Sequence, residues 1–386
     1  MHKEVQIGIF APLFLFLNIG TGVFFMRIQK IKTGIIKIPL VTPFKTALRT
    51  VSHVEDLVVC VEADNGACGY GEAPPTAVIT GDTLGSVETA IRDFIAPAIT
   101  GMDIEDIDGI MKTLGSCICK NTSAKAAVDM AVYDLYAKNR KAPLYKVLGG
   151  AREKIETDIT ISVNSVDEMV KDSLRAVEKG FSILKVKVGK ENKADVERIR
   201  EIRAAVGDQV RIRVDANQGW SAKQAVWIIQ KMEDLGLNID LVEQPVRAHD
   251  LSGMKFVTGH TATTILADES VFTPKDAIDI FENEVADMVN IKLMKTGGIY
   301  EALKICSIAE IYEKECMVGC MLESKIAVSA AAHLAAAKHV VTAVDLDGPS
   351  LCSVDPYEGG PEYIGADILM NEEPGIGITR VPVIWK

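Results

Sequence analysis

Histidine is scarce in this chain, with 6 in 386 residues, and none pairs with a nearby acid in a ligand pattern. Any metal here must therefore be held by carboxylates. Cysteine is sparse as well. The 8 residues at 60, 68, 117, 119, 306, 316, 320 and 352 are too few for a disulfide scaffold in so long a chain. No pair has zinc-knuckle spacing, although Cys316 and Cys320 are four apart, so free thiols in a cytoplasmic protein are expected. Basic runs and Arg/aromatic interleaving are missing too. With 53 Asp+Glu against 42 Lys+Arg and a net charge of −11, nucleic acid is excluded as a partner.

Only one long uncharged run exists, from Ile7 to Phe25. Its length reaches the lower limit for a membrane span. Pro12, Gly20 and Gly22 weaken a spanning helix, Glu4 offsets Lys3, and Gly-Val-Phe-Phe is a poor cleavage site. Met26 then opens MRIQKIKTGIIKIPL, which reads as the start of a first strand. Residues 1–25 are taken as an extension outside the fold, and a membrane is not an expected partner.

What is present is a large apolar fraction, 48%, enough for a substantial core. RIQKIKTGIIKIPL and DLVVCVEADNG read as strands, the second closing on a tight Asp-Asn-Gly turn. Between them TPFKTALRTVSHVED reads as a mobile irregular loop. SVETAIRDFIAPAI and SAKAAVDMAVYDLYAKNR carry apolar residues at helical spacing. Residues 26–150 are thus an α+β domain. Over 151–354 eight short apolar runs alternate with amphipathic helices: DITISV, ILKVKVG, VRIRVDAN, IDLVEQP, TILADES, MVNIKL, ECMVG and VVTAVDLD. That texture is an α/β parallel barrel. The Gly/Pro-rich tail 355–386 is too short for a domain and should pack back on its neighbour.

Barrel enzymes place reactive side chains at the C-terminal ends of strands. Here those ends carry Lys185 and Lys187, Asp215, Glu243, Asp268 and Lys292 on five successive strands. From Lys187 onward the intervals are 28, 28, 25 and 24 residues, one β/α unit each. Three converging carboxylates repel one another unless a cation lies among them. All-oxygen ligation favours Mg²⁺, with Mn²⁺ as the other option. Lys185 and Lys187, two apart on one strand, share a face. Lys292 comes from the far side, so a substrate would meet lysines on opposite faces. Neighbouring positive charge should lower a lysine pKa toward that of a usable base. The alternative is that the lysines only neutralise the acids as a structural cluster.

The run KVKVG, DANQGW, EQP, ADES and NIKLMKTGG resembles the muconate-lactonizing branch of the enolase superfamily, from Met26 to the end. The resemblance implies a modified TIM barrel, (β/α)₇β, under an α+β capping domain that residues 355–386 complete. It implies Mg²⁺ on Asp215, Glu243 and Asp268, with Lys187 and Lys292 as acid/base groups and Lys185 supporting charge on an ene-diolate. A homo-oligomer is implied only by analogy.

At the eighth strand end, Asp345 and Asp347 share a face and suit a substrate ammonium group. That pattern resembles the dipeptide epimerases, with a small dipeptide as substrate. For Asp347, capping of the following DGPS turn is the alternative. PFKTALRTV followed by GEAPPTAVITGD is similar to the L-Ala-D/L-Glu subgroup. There a first-loop arginine, matched by Arg49, grips the Glu side-chain carboxylate, and the implied role is peptidoglycan-peptide recycling. If Arg49 points away, hydrophobic or other dipeptides fit better. Ile79 and Thr80 on the second cap loop are expected to help close the pocket. Rival readings are an N-acylamino-acid racemase or o-succinylbenzoate synthase on the same barrel. From another class comes a membrane-tethered binding protein that has lost catalysis.

Overall fold

The computed structural model describes residues 26–45, 50–189 and 192–386. Strands β1 (Ile28–Lys45), β2 (Thr50–Ala63) and β3 (Cys68–Ala73) form an antiparallel meander. The segment expected to be an irregular loop is mostly hairpin. Phe44 pairs with Val51 and Lys45 with Thr50, because β-branched residues on both sides continue the ladder. Only 46–49, which include Arg49, lie outside the described residues.

Helix α1 (Thr122–Asn139) lies directly on β3. Glycine makes that approach possible. A Cβ at Gly69 would fall 2.0 Å from Ala131 O, and one at Gly71 would fall 1.8 Å from Ala127 O. α1 is buried almost all round and ties the cap to the barrel. Asp129 on α1 accepts from Ile299 N at 2.6 Å and Tyr300 N at 3.2 Å, capping α2 (Ile299–Ile311). Glu72 on β3 does the same for α3 (Lys325–Ala337), accepting from Ser324 N and Ala327 N at 3.0 and 2.9 Å. Buried carboxylates at helix N-termini satisfy orphan amides and meet the favourable end of the dipole.

After the short β4 (Lys154–Glu156) come the eight barrel strands. They are β5 (Ile159–Ile161), β6 (Ile183–Lys187), β7 (Arg211–Asp215), β8 (Ile239–Glu243), β9 (Thr264–Ala267), β10 (Met288–Ile291), β11 (Glu315–Gly319) and β12 (Val341–Asp345). Each is parallel to the next in chain order. Asp158 N donates to Val344 O at 3.3 Å across the seam, so the sheet nearly closes. All eight apolar runs read from the sequence are these strands.

Side-chain alternation then builds the interior in layers. Leu241, Leu266, Met288, Met317 and Ala343 form an apolar floor inside the barrel. Two residues further along the same strands stand Glu243, Asp268, Asn290, Gly319 and Asp345. On β7, Arg213 is two residues below Asp215 and pairs with Asp158 at 2.8 Å and Asp240 at 3.1 Å. The floor excludes water from beneath, and the charged layer faces the mouth.

The tail contacts both the barrel side and the cap. β13 (Asp367–Leu369) pairs with β4, while Ile376 N donates to Asp134 Oδ1 on α1 at 2.8 Å. No helix among the described residues is long and apolar enough to cross a membrane. Residues 1–25 lie outside the described residues.

Candidate active site

The barrel mouth brings together eight of the nine charged residues assigned to the site above. Arg49 lies outside the described residues. Lys185 Nζ stands 2.6 Å from Glu243 Oε2, 2.6 Å from Asp345 Oδ2 and 3.1 Å from Asp215 Oδ2. Lys187 Nζ donates to Asp215 Oδ2 at 2.6 Å. On the other side of the barrel, Lys292 Nζ donates to Asp268 Oδ2 at 2.7 Å and lies 3.9 Å from Glu243 Oε1. β6 and β10 are four strands apart in an eight-stranded sheet, so Lys187 and Lys292 face each other across the mouth. Lys185, Lys187, Lys292, Asp268, Asp345 and Asp347 line one cavity together with Phe44, Val78 and Ile79 of the cap. Ile79 thus lines the pocket. Thr80 is not among the lining residues; its hydroxyl donates to Thr76 O and accepts from Asp82 N.

The electrostatics follow from burial against pairing. Burial pushes the Asp268 carboxyl up, but Lys292 and Lys295 outweigh it and hold the group well below its ordinary value. Asp215 is lowered likewise, Lys187 and Lys185 overcoming its burial. For Glu243 burial wins, Asp215 adds to it, and the carboxyl is pushed up to about 7. Asp345 is held low, since Lys185 and Lys292 overcome its burial, while burial and the Asp345 charge push Asp347 up to about 6. At Lys292 the protein's own charges set the direction of the lysine pKa. Burial alone would lower it, but attraction from Asp268 and Glu243 raises it above the ordinary range. Acids outnumber ammonium groups around that side chain, so their attraction prevails over the repulsion from Lys185.

The Asp347 side chain does not cap the turn after it. Its Oδ2 accepts from Thr160 N on β5 at 2.7 Å instead, which fixes the side chain at the cavity. Four further polar residues escaped the sequence reading. Lys295, fully buried, donates to Asp268 Oδ1 at 2.5 Å, to Asp268 O and to Asn290 O at 2.9 Å. Asn290 Nδ2 donates to Glu243 Oε1 at 3.0 Å. Glu269 and Asn217 line the cavity, and Glu269 Oε2 and Asn217 Oδ1 have no hydrogen-bond partner there. Burial, with Asp268 beside it, pushes Glu269 up to about 8. The Lys-x-x-Lys spacing of NIKLMK was the available signal for Lys295.

By chemistry, though not by spacing, the donor set is of the kind a hard divalent cation takes. Asp215, Glu243 and Asp268 are buried carboxylates on adjacent strands, and Glu243 Oε2 accepts no hydrogen bond although Lys185 Nζ is 2.6 Å away. Among the described residues no three His, Cys, Asp or Glu groups close on one point at ligand spacing. The lysine ammonium groups stand among the acids and neutralise them.

Residues 30–149 match the mandelate racemase/muconate lactonizing enzyme N-terminal domain, and residues 168–381 match the enolase C-terminal domain-like family. The chain belongs to this branch of the enolase superfamily. It is an isomerase of that family. The chain is 54% identical over 356 residues to an L-Ala-D/L-Glu epimerase of Clostridium acetobutylicum, covering 92% of this chain and 99% of that one. The substrate-liganded L-Ala-D/L-Glu epimerase from Bacillus subtilis superposes with a TM-score of 0.91 at 49% identity, over 93% of this chain and 100% of that one. A dipeptide epimerase from Enterococcus faecalis, complexed with Mg and L-Leu-L-Tyr, gives 0.89 at 40% identity, over 92% and 100%.

Proposed function

We propose that this chain is a dipeptide epimerase that inverts the α-carbon of the substrate's C-terminal residue, with L-Ala-D/L-Glu as the preferred pair. The observation that carries it is the opposition of Lys187 and Lys292 across one buried pocket, with Asp345 and Asp347 at its side. Inversion needs a proton taken from one face and returned to the other. Two lysines on opposite walls supply that without the substrate turning over.

Asp215, Glu243 and Asp268 would hold Mg²⁺. When bound, the ion would offset the charge of these carboxylates and favour the negative charge that develops on the substrate carboxylate as the α-proton leaves. Asp345 and Asp347 receive the substrate ammonium group, Asp347 being fixed for it by Thr160 N. One of Lys187 and Lys292 takes the α-proton at Nζ, and the other delivers a proton to the opposite face. Lys185 Nζ, 2.6 Å from both Glu243 and Asp345, keeps one positive charge between the two ends of the site. The apolar floor and the cap residues Phe44, Val78 and Ile79 keep bulk water from the reacting carbon.

The preference for Glu rests on Arg49 and on the likeness to the two L-Ala-D/L-Glu epimerases. Hydrophobic dipeptides are the second reading. Phe44, Val78, Ile79 and Leu351 give the pocket an apolar side, and the relative complexed with L-Leu-L-Tyr has a similar fold. Both readings meet one experiment. The purified protein with Mg²⁺ in D₂O is given a library of L,L-dipeptides, and deuterium at the C-terminal α-carbon is read by mass spectrometry. Strong exchange with L-Ala-L-Glu, lost in Arg49→Ala, supports the first reading. Exchange confined to apolar dipeptides supports the second. No exchange with any dipeptide overturns both and turns attention to N-acylamino acids.

A further inference from the structure

Gly319 ends β11 at the barrel mouth, beside β10, and the space over its α-carbon is already filled. A Cβ built there would lie 2.8 Å from Asn290 Oδ1, 3.0 Å from Asn290 Nδ2 and 3.2 Å from Lys292 Cε. Carbon atoms in van der Waals contact sit about 3.5–4.0 Å apart, so a methyl group cannot enter without displacing its neighbours. The backbone does not itself demand glycine, because Gly319 is not among the positive-φ residues. Space alone is the requirement.

The two neighbours are held on their far sides. Asn290 is fully buried and donates to Glu243 Oε1 at 3.0 Å. Lys292 donates to Asp268 Oδ2 at 2.7 Å. Cε is the last carbon before Nζ, so a push on it moves the ammonium group directly. Lys187 stands across the barrel on β6, and no atom of it lies among the three nearest to a Cβ at 319.

We propose that Gly319 is a positioning residue for the reaction: the missing side chain lets Lys292 lie against β11 with Nζ aimed into the pocket while Asn290 braces Glu243. This rests on the reading of Lys292 as one of two acid/base groups. Its consequence is one-sided. A methyl at 319 disturbs proton transfer on the Lys292 face and spares the Lys187 face.

The test compares Gly319→Ala with the wild-type chain, Lys187→Ala and Lys292→Ala, each with Mg²⁺ in D₂O. The two epimers of one dipeptide are supplied separately. Lys292→Ala identifies which epimer presents its α-hydrogen to Lys292. For that epimer, Gly319→Ala is expected to lower deuterium uptake roughly 10- to 100-fold, with uptake by the other epimer within about threefold of wild type, since small misplacements near the chemistry are costly. Epimerisation should fall in both directions. Equal losses on both epimers in a chain that melts like wild type would overturn the proposal, as would unchanged rates. If Gly319→Ala does not fold, Gly319→Ala/Asn290→Ala removes the two closest contacts and keeps that to Lys292. Compared with Asn290→Ala alone, it must show the same one-sided loss. Inactivity of the wild-type chain toward every dipeptide would instead overturn the functional reading beneath it.

Discussion

Lys185 Nζ lies 2.6 Å from Asp345 Oδ2, joining the second barrel strand to the eighth across the seam. The same ammonium group serves Glu243 and Asp215, and its side chain is 2% exposed. Burial alone would lower the Lys185 pKa, yet the attraction of Asp345, Glu243 and Asp215 raises it well above the ordinary value. Removing one partner of a buried pair leaves an uncompensated charge, at a cost of about 3–5 kcal/mol. Lys185→Met should therefore lower unfolding free energy by about that much, and Asp345→Asn should cost less because the amide still accepts a hydrogen bond. Urea melts of both single variants and the double variant give the coupling. Additive losses would show that the contact contributes nothing of its own.

The opposed lysines give a kinetic prediction. Lys187 and Lys292 are each anchored to a different carboxylate, Asp215 at 2.6 Å and Asp268 at 2.7 Å. Loss of a positioned acid or base typically costs about 10²–10⁴ in rate. Lys187→Ala and Lys292→Ala should each lose epimerisation by that factor or more, while each keeps solvent exchange of the epimer facing the remaining lysine. The measurement is chiral chromatography of the product with parallel mass spectrometry. Full turnover in either variant would end the two-base scheme.

Asn290 connects the lysine strand to the carboxylates through its 3.0 Å hydrogen bond to Glu243 Oε1. A group that orients a ligand typically accounts for about 10–100-fold in metal affinity. Asn290→Ala is expected to weaken Mg²⁺ binding by that range, read by calorimetric titration of the chelator-stripped protein. Stripping should also remove activity, and added Mg²⁺ should restore it. Unchanged affinity in Asn290→Ala would show that Glu243 needs no brace, and activity surviving the chelator would remove the role proposed for Asp215, Glu243 and Asp268.

The barrel was legible in the sequence because strands buried on both faces leave short apolar runs at one β/α spacing. Lys187, Asp215, Glu243, Asp268 and Lys292 were legible because that spacing fixes where strand ends meet. Lys295 was not, since it follows β10 on a short helical turn, Leu293–Thr296, where strand alternation gives no guidance. The Asn290 bond to Glu243 and the filled space over Gly319 were not legible either, since packing between strands leaves no periodic mark. The bonds from Glu72 and Asp129 to barrel helices span 170 residues or more of sequence. The direction of the Lys292 pKa set by protein charges alone depends on how many acids surround the ammonium group, and spacing alone does not count them.

Far from the pocket, His333 on α3 gives a prediction about stability and pH. It is fully buried, its Nδ1 accepts from Tyr145 N at 3.0 Å, and burial lowers its pKa to about 3. An unfolded histidine titrates near 6.5. Between about pH 3 and about pH 6.5 the unfolded chain therefore binds a proton that the folded chain refuses, so stability rises with pH through that window. The contribution is complete above the unfolded pKa and is lost as pH falls, at up to about 1.4 kcal/mol per pH unit. His333→Asn can keep an acceptor for Tyr145 N without the titration. It should be less stable than wild type near neutrality and show a shallower acid limb. Urea midpoints taken at about pH 4.5 and about pH 7 test this, with the wild-type difference expected to exceed the variant's. An equal difference in the two proteins would show that His333 does not set the acid limb.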